Sequence, residues 1–461
     1  MNFLKAKSID ATTGKLLPKI FAYALPLIIS TIIQQLFNAI DIVVLGNMAD
    51  SIAVASVGAT SSIVALLVNS FVGLASGLRV VLARQVGAKD EQGIRKSTDT
   101  GLILAIVLGI ALAVIGFVFT PWFLDITNCP KECYDGAMIY VMIYVGGAPI
   151  ILLYNFAAAV LNASGDTQRP LYYIMIGGVT NLVLNIILCL ILPRKVIAVA
   201  VATVVSQLVA AFLASKRLLS MEGTCRVIVS KMKFDFGALG KILRFGLPMA
   251  FTSALFPISN LQIQSAINSF GVSATAGNSA ASTIENVLSS TAGPFGTTAA
   301  TFIGQNIGAN KPDRVKKSFY SCLLWSTLIG GIAGTLIFLS GKVWLGIIVG
   351  ADTAAITFGL IRMSCTTLFY AVACINTIYA NALQAHGYST FSAINSIFCV
   401  FIFRIIWMQG LYPMLDGYPD NNRFFFITVC FLVSWVLRMF VNIVIFAIVR
   451  VKYKCGIKKV M

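Results

Sequence analysis

A single carboxylate, Asp41, stands inside the apolar run 18–45, with Gln34 and Asn38 before it at spacings of seven and three. Those spacings put the three polar groups on one stripe of a helix. An acid inside such a run is costly to desolvate, and burial favours its neutral form. A poised acid of this kind can accept a proton, or hold Na+ beside amide oxygens, and release it when a substrate enters. The plainer alternative is an interfacial acid that reaches water from near its helix end. Asn181 and Asn185, at i and i+4, could complete a polar pocket with Asn38 and Asp41, though ordinary hydrogen bonding between helices would use the same residues.

A second polar constellation lies further along. Asn260, Gln264 and Asn268 repeat at i, i+4 and i+8, and Glu285 follows near the start of another apolar run. Tyr370, Asn376 and Tyr379 could add ring faces and an amide for a flat cation. With Gln34, these are the candidate substrate contacts; Glu285 as a solvated rim acid, and the tyrosines as packing, are the competing readings. Arg79, Arg362, Arg404 and Arg438 also fall within apolar runs, and snorkelling toward helix ends accounts for them. The one histidine, His386, reads as solvated, and the Met residues as packing. No metal site, cofactor or catalytic arrangement is expected. The apolar runs hold no His pair, no Ser/His pair and no paired carboxylates, and the chain has no Gly-x4-Gly-Lys-(Ser/Thr) loop to take ATP.

The elements that must position these groups follow from composition. Hydrophobic residues make up 58% of the chain and charged ones 11%, with mean hydropathy +0.88. Soluble domains carry about 25% charge, so the chain reads as a polytopic all-α membrane protein. Twelve apolar runs are long enough to span: 18–45, 52–82, 98–120, 137–161, 171–192, 196–215, 245–270, 279–305, 318–340, 354–383, 389–409 and 424–449. Lys and Arg favour the segments on the side of the termini by roughly five to one, which puts both termini in the cytoplasm of a plasma (inner) membrane protein. That placement explains the net charge of +17 through contact with anionic lipids, without nucleic acid. The first nineteen residues are polar and basic and lack a cleavable signal pattern. Whether Cys129 and Cys133 pair is left open by geometry.

The chain repeats itself. Leu25-Pro26 recurs as Leu247-Pro248, Asn38 as Asn260, and Leu161 to Gly165 as Leu383 to Gly387, all at an offset of 222. Gln85-Val-Gly87-Ala88-Lys89 recurs as Gln305-Asn-Ile-Gly308-Ala309-Asn-Lys311 with one residue inserted. The expected organisation is a six-helix lobe over 1–215, a basic cytoplasmic linker over 216–244 and a second six-helix lobe over 245–461, as two pseudo-symmetric bundles. Six helices per repeat keep both halves in one orientation, which suits rocking alternating access. Pro26 and Pro248 are candidate hinges because each removes a helical hydrogen bond.

With these motifs the chain resembles the multidrug and toxic compound extrusion (MATE) family. The features are Leu-Pro in spans one and seven, Asp41 followed by Gly46, the Gln-x-Gly-Ala loops after spans two and eight, and the Leu-x-Ala-x-Gly loops after spans four and ten. The resemblance implies a transporter rather than an enzyme: a monomeric antiporter exporting a small molecule, chiefly an organic cation, against H+ or Na+. It also implies Asp41 and Asn181 as coupling residues. Where such members carry a second acid this chain has Asn185, and the acids other members carry in spans seven and ten are absent. The alternative on the same architecture is a flippase for lipid-linked precursors or another metabolite exporter. A flippase should present a strongly cationic cavity to phosphates, whereas the expected cavity is lined by acid and amide.

Overall fold

The computed structural model describes residues 8–48, 51–126, 129–221, 225–415 and 417–454; the side chains of 38–43, 45–47, 51, 62, 257, 261 and 450–454 lie outside that description. In the first half the helices are α1 (Leu16–Met48), α2 (Ser51–Ala88), α3 (Glu91–Ile126), α4 (Lys131–Gly146), α5 (Ala148–Ala163), α6 (Gln168–Ile191) and α7 (Lys195–Ser220). In the second they are α8 (Phe236–Asn268), α9 (Val272–Gly308), α10 (Pro312–Leu339), α11 (Gly341–Val349), α12 (Thr353–Cys365), α13 (Tyr370–Ala385), α14 (Ser389–Ser396), α15 (Phe403–Ile406) and α16 (Asp420–Lys454).

Among the described residues, nine helical segments are long and apolar enough to cross a bilayer. Two bent pairs, α4 with α5 and α12 with α13, raise this to eleven, each pair being bent by 46°. A further helix, α9, has 37 residues, more than the length a bilayer requires, but carries many Ser, Thr and Asn. The described residues thus show the all-α membrane architecture expected from the sequence, and twelve spans are consistent with it.

The chain forms two compact units, Met1–Ala250 with Gly308–Asn310, and Phe251–Ile307 with Lys311–Met461. In the first, Leu78, Leu82, Leu152, Phe156 and Leu161 are fully buried in a core shared by α2, α3, α5 and α7. Residues of the basic segment join it: Cys225 and Val227 are buried there, and the Val227 amide donates to the Leu218 carbonyl at 2.9 Å. In the second unit, Phe424, Ile427 and Phe431 of α16 pack on Ile263 and Ile267 of α8 and Ala274 of α9.

The repeat is legible in the backbone. Gly165 and Gly387 take φ +92° and +93°. Around each, the following amide reaches back five residues: Asp166 to Leu161 and Tyr388 to Leu383, both 2.9 Å. This is the Schellman closure of a helix C-terminus, which needs a left-handed residue. Lys89 and Asn310, the non-glycine residues of positive φ, close α2 and α9 the same way, through Asp90 to Gln85 at 3.0 Å and Lys311 to Asn306 at 2.9 Å. Gln85 thus corresponds in hydrogen bonding to Asn306, and the two caps match without the insertion that pairing Gln85 with Gln305 requires. The helix α1 continues through Pro26, and helix also runs through Pro248. The 46° breaks fall in the fourth and tenth spans, at Gly147 and at 366–369. At the first, Pro149 withholds an amide just past Gly146 and Gly147.

Candidate functional site

A chamber of about 240 Å³ opens within the second unit. The helix α9 gives it Ser282, Glu285, Asn286 and Ser289, a polar stripe at helical spacing that explains why this span is the least apolar. The helix α8 contributes Phe256 and Asn260, α13 contributes Tyr370 and Asn376, and α16 contributes Phe431, Trp435 and Arg438 from one face. Arg362 from α12 and Arg404 from α15 complete the wall. The short helix α15 is one α-turn between π-helical stretches at Ile397–Ile402 and Trp407–Leu411. Such widened turns interrupt regular helix and recur at functional positions.

The arginines depart from expectation. Snorkelling predicted their heads in water, yet Arg404 is 2% and Arg362 6% exposed. Arg362 donates to Glu285 at 3.0 Å and to the Asn278 amide oxygen at 2.6 Å. Arg404 donates to Asn260 at 3.0 Å and to the Ser434 hydroxyl at 3.3 Å from two nitrogens. The Phe431 ring carries both guanidinium groups, with Arg404 4.5 Å and Arg362 4.9 Å from its centroid. Arg438 lies 5.5 Å from the Phe256 centroid. Hydrogen bonds from fixed dipoles and ring faces are what allow such charges to be kept inside. The lining thus holds the expected acid and amides together with three guanidinium groups that the snorkelling reading had placed outside. Arg438 could have been recognised from the sequence, since it lies 11 residues from the nearer end of its expected span, roughly 16 Å of helix, beyond the reach of its side chain.

Of the second-half candidates, Asn260, Glu285, Tyr370 and Asn376 line the chamber. Gln264 and Asn268 fall outside its lining and bind each other at 2.8 Å, with Asn278 donating to Gln264 at 2.8 Å. Tyr379 also falls outside, packed on Phe319 and Phe446. His386 is half-buried, its Nδ1 2.7 Å from the Ala382 carbonyl oxygen.

In the first unit, Asn181 and Asn185 are both buried, and the Asn185 amide donates to the Asn181 oxygen at 3.2 Å. Gln34 is exposed. Asn38 and Asp41 lie on α1 but their side chains fall outside the described residues. The backbone still gives a register. The Ile9 amide bonds Gly165 just before α6, and Phe37 lies against Gly178, where a Cβ would fall within its ring. Both helices therefore run the same way, and at equal rise residue 41 stands level with residues near 181–185. Cys129 and Cys133 are both free thiols.

Comparison with known proteins agrees with this architecture. The family model MatE matches residues 26–187 and 248–408, one match per repeat. The "Probable multidrug resistance protein YoeA" of Bacillus subtilis (strain 168) is 27% identical over 328 residues, covering 69% of this chain and 70% of its own. The "FAD transporter" of Shewanella oneidensis is 24% identical over 278 residues, covering 58% of this chain and 60% of its own. Among solved structures, a MOP superfamily transporter from Pyrococcus furiosus superposes with TM-score 0.87 at 19% identity, over 98% of this chain and 100% of that one. Two family matches on two structurally repeated halves leave one assignment: the chain is a multi-pass membrane transporter that belongs to the MatE family of multidrug and toxic compound extrusion proteins.

Proposed function

We propose that this protein is a secondary active exporter in the plasma membrane, with both termini cytoplasmic. As a monomer among membrane lipids, it expels a small organic solute in exchange for H+ or Na+ by alternating access. The observation that carries this reading is the second-half chamber, where charged, amide and aromatic groups converge inside a transporter fold. The coupling role falls to Asp41 with Asn38, Asn181 and Asn185. The α1–α6 register supports that grouping, as does the cost of placing an acid in this run. A cationic, drug-like cargo draws on Glu285 and the ring faces, and on the multidrug designation of YoeA. A phosphate-bearing cargo, whether a soluble metabolite or a lipid-linked precursor, draws on Arg362, Arg404 and Arg438, which supply the cationic cavity a flippase would need. The relative that transports FAD, itself a phosphate ester, points the same way.

The test is flux in proteoliposomes under an imposed pH gradient and then an imposed Na+ gradient. One gradient should drive solute uptake into inside-out vesicles, and Asp41→Asn should reduce that flux to the level of empty vesicles while the protein stays inserted. Gradient-driven exchange by the mutant at the wild-type rate would remove Asp41 from the mechanism.

A further inference from the structure

We infer that the second-half chamber is an oxyanion site: it takes the carboxylate or phosphate of an organic anion that also carries an aromatic ring, and Arg438 is the cation that receives it. The inference deepens the exporter reading and rests on it for the direction of travel. Three guanidinium groups face the chamber against one carboxylate, Glu285. That carboxylate is already engaged, 3.0 Å from Arg362. Arg404 spends its donors on the neutral oxygens of Ser434, Asn260 and Ser259. Arg438 makes no side-chain hydrogen bond to the described residues; its Nε is buried without a partner, and its contact is the Phe256 ring. The lining therefore holds two guanidinium groups with no anion in contact, and three cations share one carboxylate.

Uncompensated charge in a poorly hydrated space is expensive, and a second anion would relieve it. The guanidinium fork is matched to that partner, since its parallel N–H groups fit the two oxygens of a carboxylate or phosphate. An organic cation would meet the opposite situation, two unneutralised like charges and a carboxylate it could claim only by breaking the Arg362 pair. The remaining walls say what the anion carries. Tyr370 and Trp435 meet edge to face at 6.4 Å, with Phe256 and Phe431 beside them, so an aromatic ring finds apolar faces next to the charged ones. The volume suits an anionic head and one ring rather than a whole drug-sized molecule, whose pockets run from about 300 Å³ upward.

Glu285 acts on this view as an internal substitute anion, holding Arg362 until a ligand competes for it. Removing its charge should then strengthen binding, whereas a site for cations would be weakened by the same change.

The experiment is equilibrium binding to the full chain in lipid nanodiscs, with 1-naphthyl phosphate and 1-naphthylmethylammonium as probes of matched ring and opposite charge. The phosphate should bind and the ammonium should not. Arg438→Gln should weaken the phosphate at least about tenfold, Arg438→Lys should recover part of the loss, and Glu285→Gln should tighten it. Thermal unfolding of each variant separates loss of the site from loss of the fold. Should Arg438→Gln fail to fold, Glu285→Gln with the opposite-charge probes decides alone. Competition by inorganic phosphate and by short-chain phosphatidic acid distinguishes a free anion from a lipid headgroup, and displacement by either supports the site. Binding of the ammonium probe in preference to the phosphate, weakened by Glu285→Gln and unaffected at Arg438, would overturn it. Gradient-driven flux of another solute without naphthyl phosphate binding leaves the exporter standing and removes the inference; binding without flux does the reverse.

Discussion

The two halves share a backbone plan and differ in what they keep inside. Both bend their fourth helical span by 46°, and both close the following turn on a glycine near φ +92°. Yet the first half buries a pair of neutral amides, Asn181 and Asn185, where the second lines a chamber with Arg362, Arg404 and Arg438. The caps are held by main-chain geometry, which tolerates few residue types, so they survive in both copies. Interior side chains need only satisfy their own neighbours, so the two copies can diverge in charge without altering the scaffold.

The largest expected effect comes from removing the interior of one copy at a time. Arg404→Met leaves the Ser434 and Asn260 oxygens without their donor and strips the Phe431 ring of one cation. Each buried acceptor left without its donor costs about 1–3 kcal/mol. Asn185→Leu removes an amide pair within α6, and side-chain pairs four residues apart on a helix contribute about 0.2–0.5 kcal/mol. Thermal unfolding in detergent should therefore show a much larger shift for Arg404→Met. Equal shifts would mean that the polar interiors of the two halves carry similar weight, and the contrast would fail.

What the sequence disclosed divides along the same line. Helices and repeat were legible because they rest on apolar length and on short motifs that recur at a nearly fixed offset. The chamber was half legible. Glu285, Asn260, Tyr370 and Asn376 were picked out as polar or aromatic groups within apolar runs, while Arg362 and Arg404 were misread because position along a helix does not say which way a long side chain turns. That direction depends on Phe431 and Ser434, brought in by a helix some thirty to seventy residues away in the chain. The pairing of Gln85 with Gln305 misled for a related reason: residue identity matched, whereas the hydrogen-bonded turn selects Asn306.

The caps offer a middle-sized test. Alanine at Gly165 or Gly387 must adopt a left-handed conformation, which costs roughly 1–2 kcal/mol. Gly165 carries a further constraint, since a Cβ there would lie 2.2 Å from the Ile9 carbonyl oxygen. Both variants should lower the unfolding temperature, Gly165→Ala the more. A larger loss at Gly387 would show that the N-terminal segment yields easily, and that the first-half cap is no tighter than the second.

The smallest effect concerns two aspartates at helix starts, one in each unit. Asp235 accepts from Lys96 at 2.9 Å and from the Ala238 amide at 2.8 Å, and the Lys96 contact is the main reason its pKa lies below the usual carboxylate value. Asp352 accepts from the Ala355 amide at 2.9 Å and from Ser273 at 2.7 Å, and the amide is the main reason its pKa is depressed. A carboxylate depressed in the folded state contributes stability that is fully present above its unfolded pKa of about 3.9 and is lost as pH falls through the folded value. Asp235→Asn and Asp352→Asn should each lower the unfolding temperature slightly at neutral pH, and their differences from wild type should shrink toward zero in strong acid. Salt separates the two. The Lys96 side chain is largely exposed, so high ionic strength should erode the Asp235 effect, whereas Asp352 relies on uncharged donors and should keep its own. An equal response of both to salt would show that Lys96 contributes little, and that the two caps work by the same backbone hydrogen bond.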